Sequence, residues 1–393
     1  MDGKNLQNLY DELCLSSVFI KVLDKPLLRA FANYVQAEDR EKRKAYAAFV
    51  AQIYNGGGSL TALLSRLVFE DENVYVKSVA CGKKVPLCIE KAAKRELDVF
   101  TRLGALKPLD FALEMGLSVT EIPSFDSVNA DMGASFRKRL KDISKYGYGI
   151  FSSQGMFRLS EKDEIEPILS ADSICLEQFV GYEEERGKVF ANTRAFVDGR
   201  PAANVLLCGD AGTGKSSTVK AVANAFFNEG IRLIELRKDQ LSHLPLVMGK
   251  ISGNPLKFII FIDDLSFNKS DDNFSMLKAA LEGSASAKAE NAVIYATSNR
   301  RHIIKESFSD RDGDDVHRND TLQESLSLSE RFGLTVLFSK PDKKLYLRIV
   351  KELAKKHEIS ISEQELEVQA EAFALRKGNR SARCAEQFID SLL

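Results

Sequence analysis

The chain has 393 residues, 44% hydrophobic and 28% charged, with 55 Lys+Arg against 56 Asp+Glu. This length calls for two or three domains whose cores can stand without disulfides or structural metal. A net charge of −1, balanced in each half of the chain, excludes a global field drawing it toward nucleic acid or anionic membrane.

The six cysteines, Cys14, Cys81, Cys88, Cys175, Cys208 and Cys384, form no C-x-x-C pair. They read as reduced thiols of a cytoplasmic protein rather than a zinc site or disulfide framework. The polar N-terminus lacks the charged-then-apolar layout of a signal peptide. No stretch approaches the roughly 20 apolar residues of a membrane span.

In chain order, residues 1–172 read as a mainly helical domain of unassigned role. Apolar residues recur at helical spacing in Leu27–Tyr34, Glu41–Ile53 and Ala92–Phe100. Gly56–Gly58 reads as a loop, with Ser59 capping the next helix. Lys107-Pro108 breaks the helical pattern. The Gly- and aromatic-rich run Lys145–Phe157 suits either a short hairpin or an irregular packing segment.

A boundary is expected near Ser170–Ser173. From there the pattern alternates: a helix over Glu183–Phe196, a strand over Asn204–Cys208, a helix over Ser216–Asn228, then strands at Arg232–Leu236, Phe258–Ile262, Ala292–Ala296 and Leu334–Phe338. Apolar runs without alternation, separated by helices, predict a parallel sheet covered on both faces. This assigns 173–340 to an α/β nucleotide-binding core and 341–393 to a helical lid opened by Pro341. The acidic stretch Ser307–Thr321 has its Gly313 misplaced for a calcium loop and no closing Glu, and reads as a solvated loop.

The chemistry sits in two motifs. Gly209-Asp-Ala-Gly-Thr-Gly214-Lys215-Ser216 matches G-x-x-x-x-G-K-[ST], with a strand before it and a helix after it. Glycines let successive amides point at phosphates, and the helix N-terminus adds positive dipole. The candidate nucleotide-binding residues are therefore Gly209, Asp210, Ala211, Gly212, Thr213, Gly214, Lys215, Ser216 and Ser217. Lys215 is placed to reach the β- and γ-phosphates of ATP and Ser216 to bind Mg²⁺. In Phe258–Asp264, a buried strand ends in two acids. Asp263 is the expected second Mg²⁺ residue, and Asp264 the expected polariser of the attacking water.

With these motifs in place the sequence resembles the AAA+ ATPases, with the six family motifs in order over residues 174–393. The strings NVLLCGDAGTGKSSTVKA, FIDDLSF, LEGS and IYATSNRRHII are similar to a bacterial AAA+ family with an N-terminal helical extension and no well-assigned role. The resemblance implies a five-stranded parallel sheet of order 5-1-4-3-2 with a C-terminal helical lid, and nucleotide-dependent oligomerisation, often as a ring. It implies an adenine contact from Leu176–Tyr182, chiefly Val180 and Tyr182, and a water-orienting role for Asn299. Within Ser329-Glu-Arg-Phe-Gly333 it implies that Arg331 reaches a neighbouring subunit's nucleotide. In Gly378–Arg383 it implies a phosphate-contacting arginine, with Arg380 preferred to Arg383.

Two departures stand out. Asp264 replaces the usual glutamate and is one methylene shorter, which points either to slow hydrolysis or to a different water-orienting route. Leu244–Lys250, where threading unfoldases carry an aromatic pore loop, has no aromatic residue. The leading expectation is an ATPase that remodels or loads a macromolecular partner. The alternatives are a nucleotide-gated switch with little turnover and a small-molecule kinase. A nucleic-acid partner is signalled only by Arg137, Lys138, Arg139 and Lys141 near Tyr146 and Tyr148.

Overall fold

The computed structural model describes residues 6–168, 174–265, 276–278, 281, 290–299 and 330–393. The acidic stretch at 307–321, the boundary at 170–173, most of the LEGS string and Ser329 lie outside the described residues. The chain divides into two compact units, one ending at Ser153 and the other covering Gln154–Leu393.

The first unit is helical. It runs α1 (Leu6–Leu13), α2 (Ile20–Leu23), α3 (Pro26–Gln36), α4 (Asp39–Asn55), α5 (Leu60–Phe69), α6 (Val74–Ala80), α7 (Leu87–Gly104), α8 (Pro108–Met115), α9 (Met132–Lys141) and α10 (Ile143–Tyr146). Pro26 and Pro108 open their helices, where a missing N–H costs nothing. The Ser59 hydroxyl accepts the Ala62 amide at 3.3 Å and caps α5 as expected.

Apolar faces of α3, α4 and α8 meet in an aromatic cluster. The Phe111 ring lies 5.1 Å from Tyr34, 5.2 Å from Tyr46 and 5.5 Å from Phe49. One buried carboxylate organises the α1–α2 connection: Glu96, 1% exposed, accepts the amides of Ser17, Val18 and Phe19.

Arg139 belongs to this packing. Its guanidinium lies 4.9 Å from the Phe69 ring and 4.7 Å from the Tyr146 ring, and it donates to the Ser152 carbonyl at 3.2 Å. The basic cluster read from the sequence therefore loses Arg139 to the interior; Arg137, Lys138 and Lys141 stay exposed.

The second unit is built on one sheet. Its strands are β1 (Met156–Leu159), β2 (Ile165–Pro167), β3 (Val205–Gly209), β4 (Ile231–Leu236), β5 (Lys257–Ile262), β6 (Ala292–Ser298) and β7 (Leu334–Phe338), in the order β2-β1-β4-β5-β6-β3-β7. All neighbours pair parallel except β1 and β2. The parallel row β7-β3-β6-β5-β4 is the expected 5-1-4-3-2 order of the five strands after residue 204. Every residue of β3 is buried, as are Phe258–Ile262 of β5. That is the physical reason those runs carry no polar alternation.

The β1–β2 hairpin extends the row. The Lys145–Phe157 run ends in this hairpin, because Phe157 and Arg158 pair with Ile234 and Glu235 at an otherwise open edge of β4. The units accordingly divide ahead of the position that composition suggested.

Helices α11 (Glu183–Val197), α12 (Lys215–Ala225) and α13 (Leu244–Ile251) accompany the sheet. The last is the segment where a pore loop would be sought. It is a packed helix with Leu244, Val247, Met248 and Ile251 buried. Three further helices, α14 (Lys343–Lys356), α15 (Glu363–Lys377) and α16 (Ala382–Asp390), close around Tyr346, Val350, Ala370, Ala385 and Phe388. None of the described helices is long and apolar enough to cross a membrane.

Candidate functional site

Strand β3 continues into α12, whose other end feeds β4, while β6 and β7 flank β3 on its two sides. The strand order reverses there: β4, which follows β3 in the chain, lies on the β6 side of β3, and β7, which follows β6, lies on its other side. In open α/β sheets such a switch point at the carboxyl ends of strands forms the binding crevice. A cleft of about 200 Å³ lies at this place, lined by residues 211–217 with Asp263, Asp264, Thr297, Asn299 and Arg383.

The loop's conformation demands its glycines. Gly212 and Gly214 have φ of 76° and 86°, in the left-handed region where a side chain is disfavoured. At Gly209 a Cβ would sit 2.0 Å from the Phe338 carbonyl oxygen, so β7 can pass only a glycine. Among the described residues, no protein acceptor takes a hydrogen bond from the amides of 211–217. Alternation of left- and right-handed residues turns such amides toward a common centre, which attracts anions.

Asp210 pins the other side of the loop. Its amide donates to the Phe338 carbonyl at 3.2 Å, and its Oδ2 accepts the Lys340 amide at 2.9 Å.

Lys215, 5% exposed, donates through Nζ to the carbonyls of Gly209 (3.0 Å) and Asp210 (2.7 Å) and to Asn299 Oδ1 (3.1 Å). Burial lowers its pKa from the usual lysine value, opposed by the nearby charges of Asp210, Asp263 and Asp264. Ser216 Oγ donates to Asp263 Oδ1 at 2.6 Å. The same oxygen accepts Thr297 Oγ1 at 2.5 Å and the Asp264 amide at 3.1 Å. Asn299 Nδ2 donates to Asp264 Oδ1 at 2.7 Å. Asn299 thus bridges Asp264 to Lys215, while Asp263 is tied to Ser216 and Thr297. Asp264 has φ of 52°, a left-handed non-glycine residue of the kind found where backbone strain serves a site.

The remaining sequence candidates fall in different places. Val180 packs against the core of α14–α16. Tyr182 is 8% exposed, lies 5.3 Å from the Phe338 ring and donates its hydroxyl to the Ser339 carbonyl at 2.6 Å. Burial pushes that hydroxyl's pKa well above the ordinary tyrosine value. Both residues sit where the sheet meets the C-terminal helices, outside the cleft lining. Arg331, half-buried, is outside it too.

The two arginines of Gly378–Arg383 stand in different surroundings. Arg380 is held by Glu371 through Nε at 3.0 Å and Nη2 at 2.8 Å, and this pairing holds the Glu371 carboxyl below its usual range. Arg383 lines the cleft, and its amide donates to the Gly212 carbonyl at 3.3 Å. Residue 380 precedes the Ser381 cap of α16, whereas 383 sits in the first turn facing the loop.

Thr297 is the site residue that motif matching passed over. Its only sequence signal was its place two residues before Asn299 at a strand end.

No curated protein matches the chain. Among solved structures it is similar to the Thermotoga maritima RuvB Holliday junction branch migration motor. Identity is 13% over 56% of this chain and 72% of that chain, with a TM-score of 0.35. Two point mutants of the same RuvB stand at 14% identity, covering 56% of this chain and 73% of theirs, with TM-scores of 0.35 and 0.36. The 5-1-4-3-2 strand order, the glycine loop between β3 and α12 and the C-terminal helices make the fold of the AAA+ type. Residues 153–393, more than half of the chain, match the model of the family described as protein of unknown function (DUF815), and the chain belongs to that family.

Proposed function

We propose that the protein binds ATP with Mg²⁺ in this cleft. We further propose that it hydrolyses ATP at the interface between subunits of a homo-oligomer, to remodel or load a macromolecular partner. The observation that carries this reading is one cleft lined by residues 211–217, whose amides meet no acceptor among the described residues, together with Lys215 and the bonded Ser216–Asp263 pair.

The residues present fit both groups. The amides of 211–217 and Lys215 suit the β- and γ-phosphates. Ser216 and Asp263 are hard oxygen donors and would hold Mg²⁺, which keeps most of its other positions for water and phosphate. Bound there, the ion supplies positive charge against the phosphate oxygens. Asn299 orients Asp264, and Asp264 is the acceptor for a water proton. Arg383, rather than Arg380, takes the lid role. Val180 and Tyr182 form the wall toward the base. Arg331 serves the neighbouring subunit's nucleotide. Asp210 ties the phosphate loop to residue 340, ahead of α14, and so links loop and C-terminal helices.

A second reading, a nucleotide-gated switch with little turnover, is favoured by one observation. The short Asp264 side chain already accepts from Asn299 at 2.7 Å, which leaves it less free to polarise water.

Light scattering after size exclusion, with and without a non-hydrolysable ATP analogue, tests the assembly. Phosphate release against a Lys215→Ala control tests turnover. Analogue-dependent growth in mass with release above the control supports the ATPase. Tight binding with release at the control level selects the switch, and no ATP binding at all removes both readings.

A further inference from the structure

Strands β5 and β6 pair Ile262 with Ala296. The next residues along each strand are Asp263 and Thr297, and Thr297 is 2% exposed. Its single hydroxyl meets both acids. It donates to Asp263 Oδ1 at 2.5 Å and accepts the Asp264 amide at 2.9 Å. The Thr297 carbonyl also accepts the Leu265 amide at 2.7 Å. The turn after β5 is therefore clamped to β6 over three consecutive residues.

The clamp has a chemical consequence. Asp263 Oδ1 takes hydrogen bonds from Ser216, Thr297 and its own neighbour's amide, which holds that oxygen toward α12 and leaves Oδ2 for other partners. The Asp264 amide, fixed on the Thr297 oxygen, keeps residue 264 at its left-handed φ of 52°. That turn brings a short carboxylate to 2.7 Å from Asn299 Nδ2. A longer acid could reach the cleft by side-chain length; Asp264 reaches it through backbone conformation.

We infer that Thr297 is a positioning residue for both acids: one hydroxyl sets the direction of Asp263 and the backbone turn of Asp264, and through them the Mg²⁺ dependence of nucleotide handling. This rests on reading the cleft as a Mg²⁺–nucleotide site. Valine at 297 keeps the shape but neither accepts nor donates: the Asp264 amide keeps only its longer bond to Asp263 Oδ1 at 3.1 Å, and that oxygen loses its 2.5 Å donor. Serine keeps the hydroxyl.

The test compares wild type with Thr297→Val, Thr297→Ala and Thr297→Ser in the full chain, with thermal melting as the check on folding. The first readout, taken without nucleotide, is hydrogen exchange of the peptide spanning 263–265. The second is affinity for a fluorescent ATP analogue in EDTA and across a Mg²⁺ titration.

Valine and alanine are expected to speed exchange and to raise the half-maximal Mg²⁺ concentration by about tenfold. Affinity in EDTA should stay within about twofold, a smaller change than loss of one hydrogen bond produces. Serine should behave as wild type. Unchanged exchange overturns the clamp. Equal loss of affinity in EDTA and Mg²⁺ overturns the positioning role in favour of general damage. Accelerated exchange with an unchanged Mg²⁺ requirement overturns the role while the nucleotide reading stands. Wild type that shows no Mg²⁺-dependent nucleotide binding overturns the nucleotide reading, and the role with it.

Discussion

Each unit of the molecule buries a charge, and the two use it differently. In the helical unit Glu96 spends its oxygens on backbone amides of residues 17–19, groups that stay satisfied for the life of the fold. In the α/β unit Lys215 and Asp263 bond mainly to loop carbonyls and to side chains around an open cleft. Such partners can be exchanged for those of a ligand at little cost. Burial alone therefore does not mark a functional charge. Under the proposed reading, what marks it is a set of exchangeable partners beside backbone donors that have no acceptor among the described residues.

The sharpest way to break that contrast is to remove each charge. Lys215→Ala is expected to cut ATP affinity by on the order of 100-fold, the worth of charge-assisted bonds, with no loss of melting temperature, since a desolvated ammonium is removed. Calorimetric titration and a melting curve check the two halves of this expectation. Retained affinity would place the phosphates elsewhere.

Glu96→Ala is expected to do the reverse. It leaves buried amides of residues 17–19 without an acceptor and should destabilise the helical unit by about 3 kcal/mol, read by urea unfolding. ATP affinity should not change. A loss of affinity equal to that of Lys215→Ala would erase the distinction.

The two arginines near the lid refine it. Arg383→Ala should weaken nucleotide binding about tenfold, as loss of a charge-assisted hydrogen bond does. Arg380→Ala, which breaks a pair with Glu371, should leave binding nearly unchanged and lower the melting temperature instead. The opposite pattern would restore Arg380 as the phosphate contact.

The smallest effect is in pH. Only protonated Lys215 attracts phosphate, and burial lowers its pKa. Affinity should therefore decline on the alkaline side at a lower pH than for a solvent-exposed lysine. Phosphate binding should in turn hold the proton on more firmly. A titration of affinity against pH, with Lys215→Arg as the non-titrating reference, checks the sign. A flat profile through the lysine range would remove the pKa argument.

Much of the α/β core was legible from the chain because its signals are local. The Gly209–Ser216 motif is contiguous, and its glycines answer to φ values and close approaches within a few residues. Fully buried parallel strands such as Phe258–Ile262 need no polar face, so their apolar runs were readable without a partner. What tertiary structure alone decided depends on residues far apart in sequence. Pairing of Met156–Arg158 with β4 turned an ambiguous aromatic run into a sheet extension. The bond to Glu371 occupied Arg380, while Arg383 came to line the cleft. Packing between Phe69 and Tyr146 drew Arg139 inward. The register of β5 against β6 put Thr297 beside both acids. A hydroxyl or guanidinium takes its role from what stands within about 3 Å of it, and for these residues that neighbour was placed by the fold.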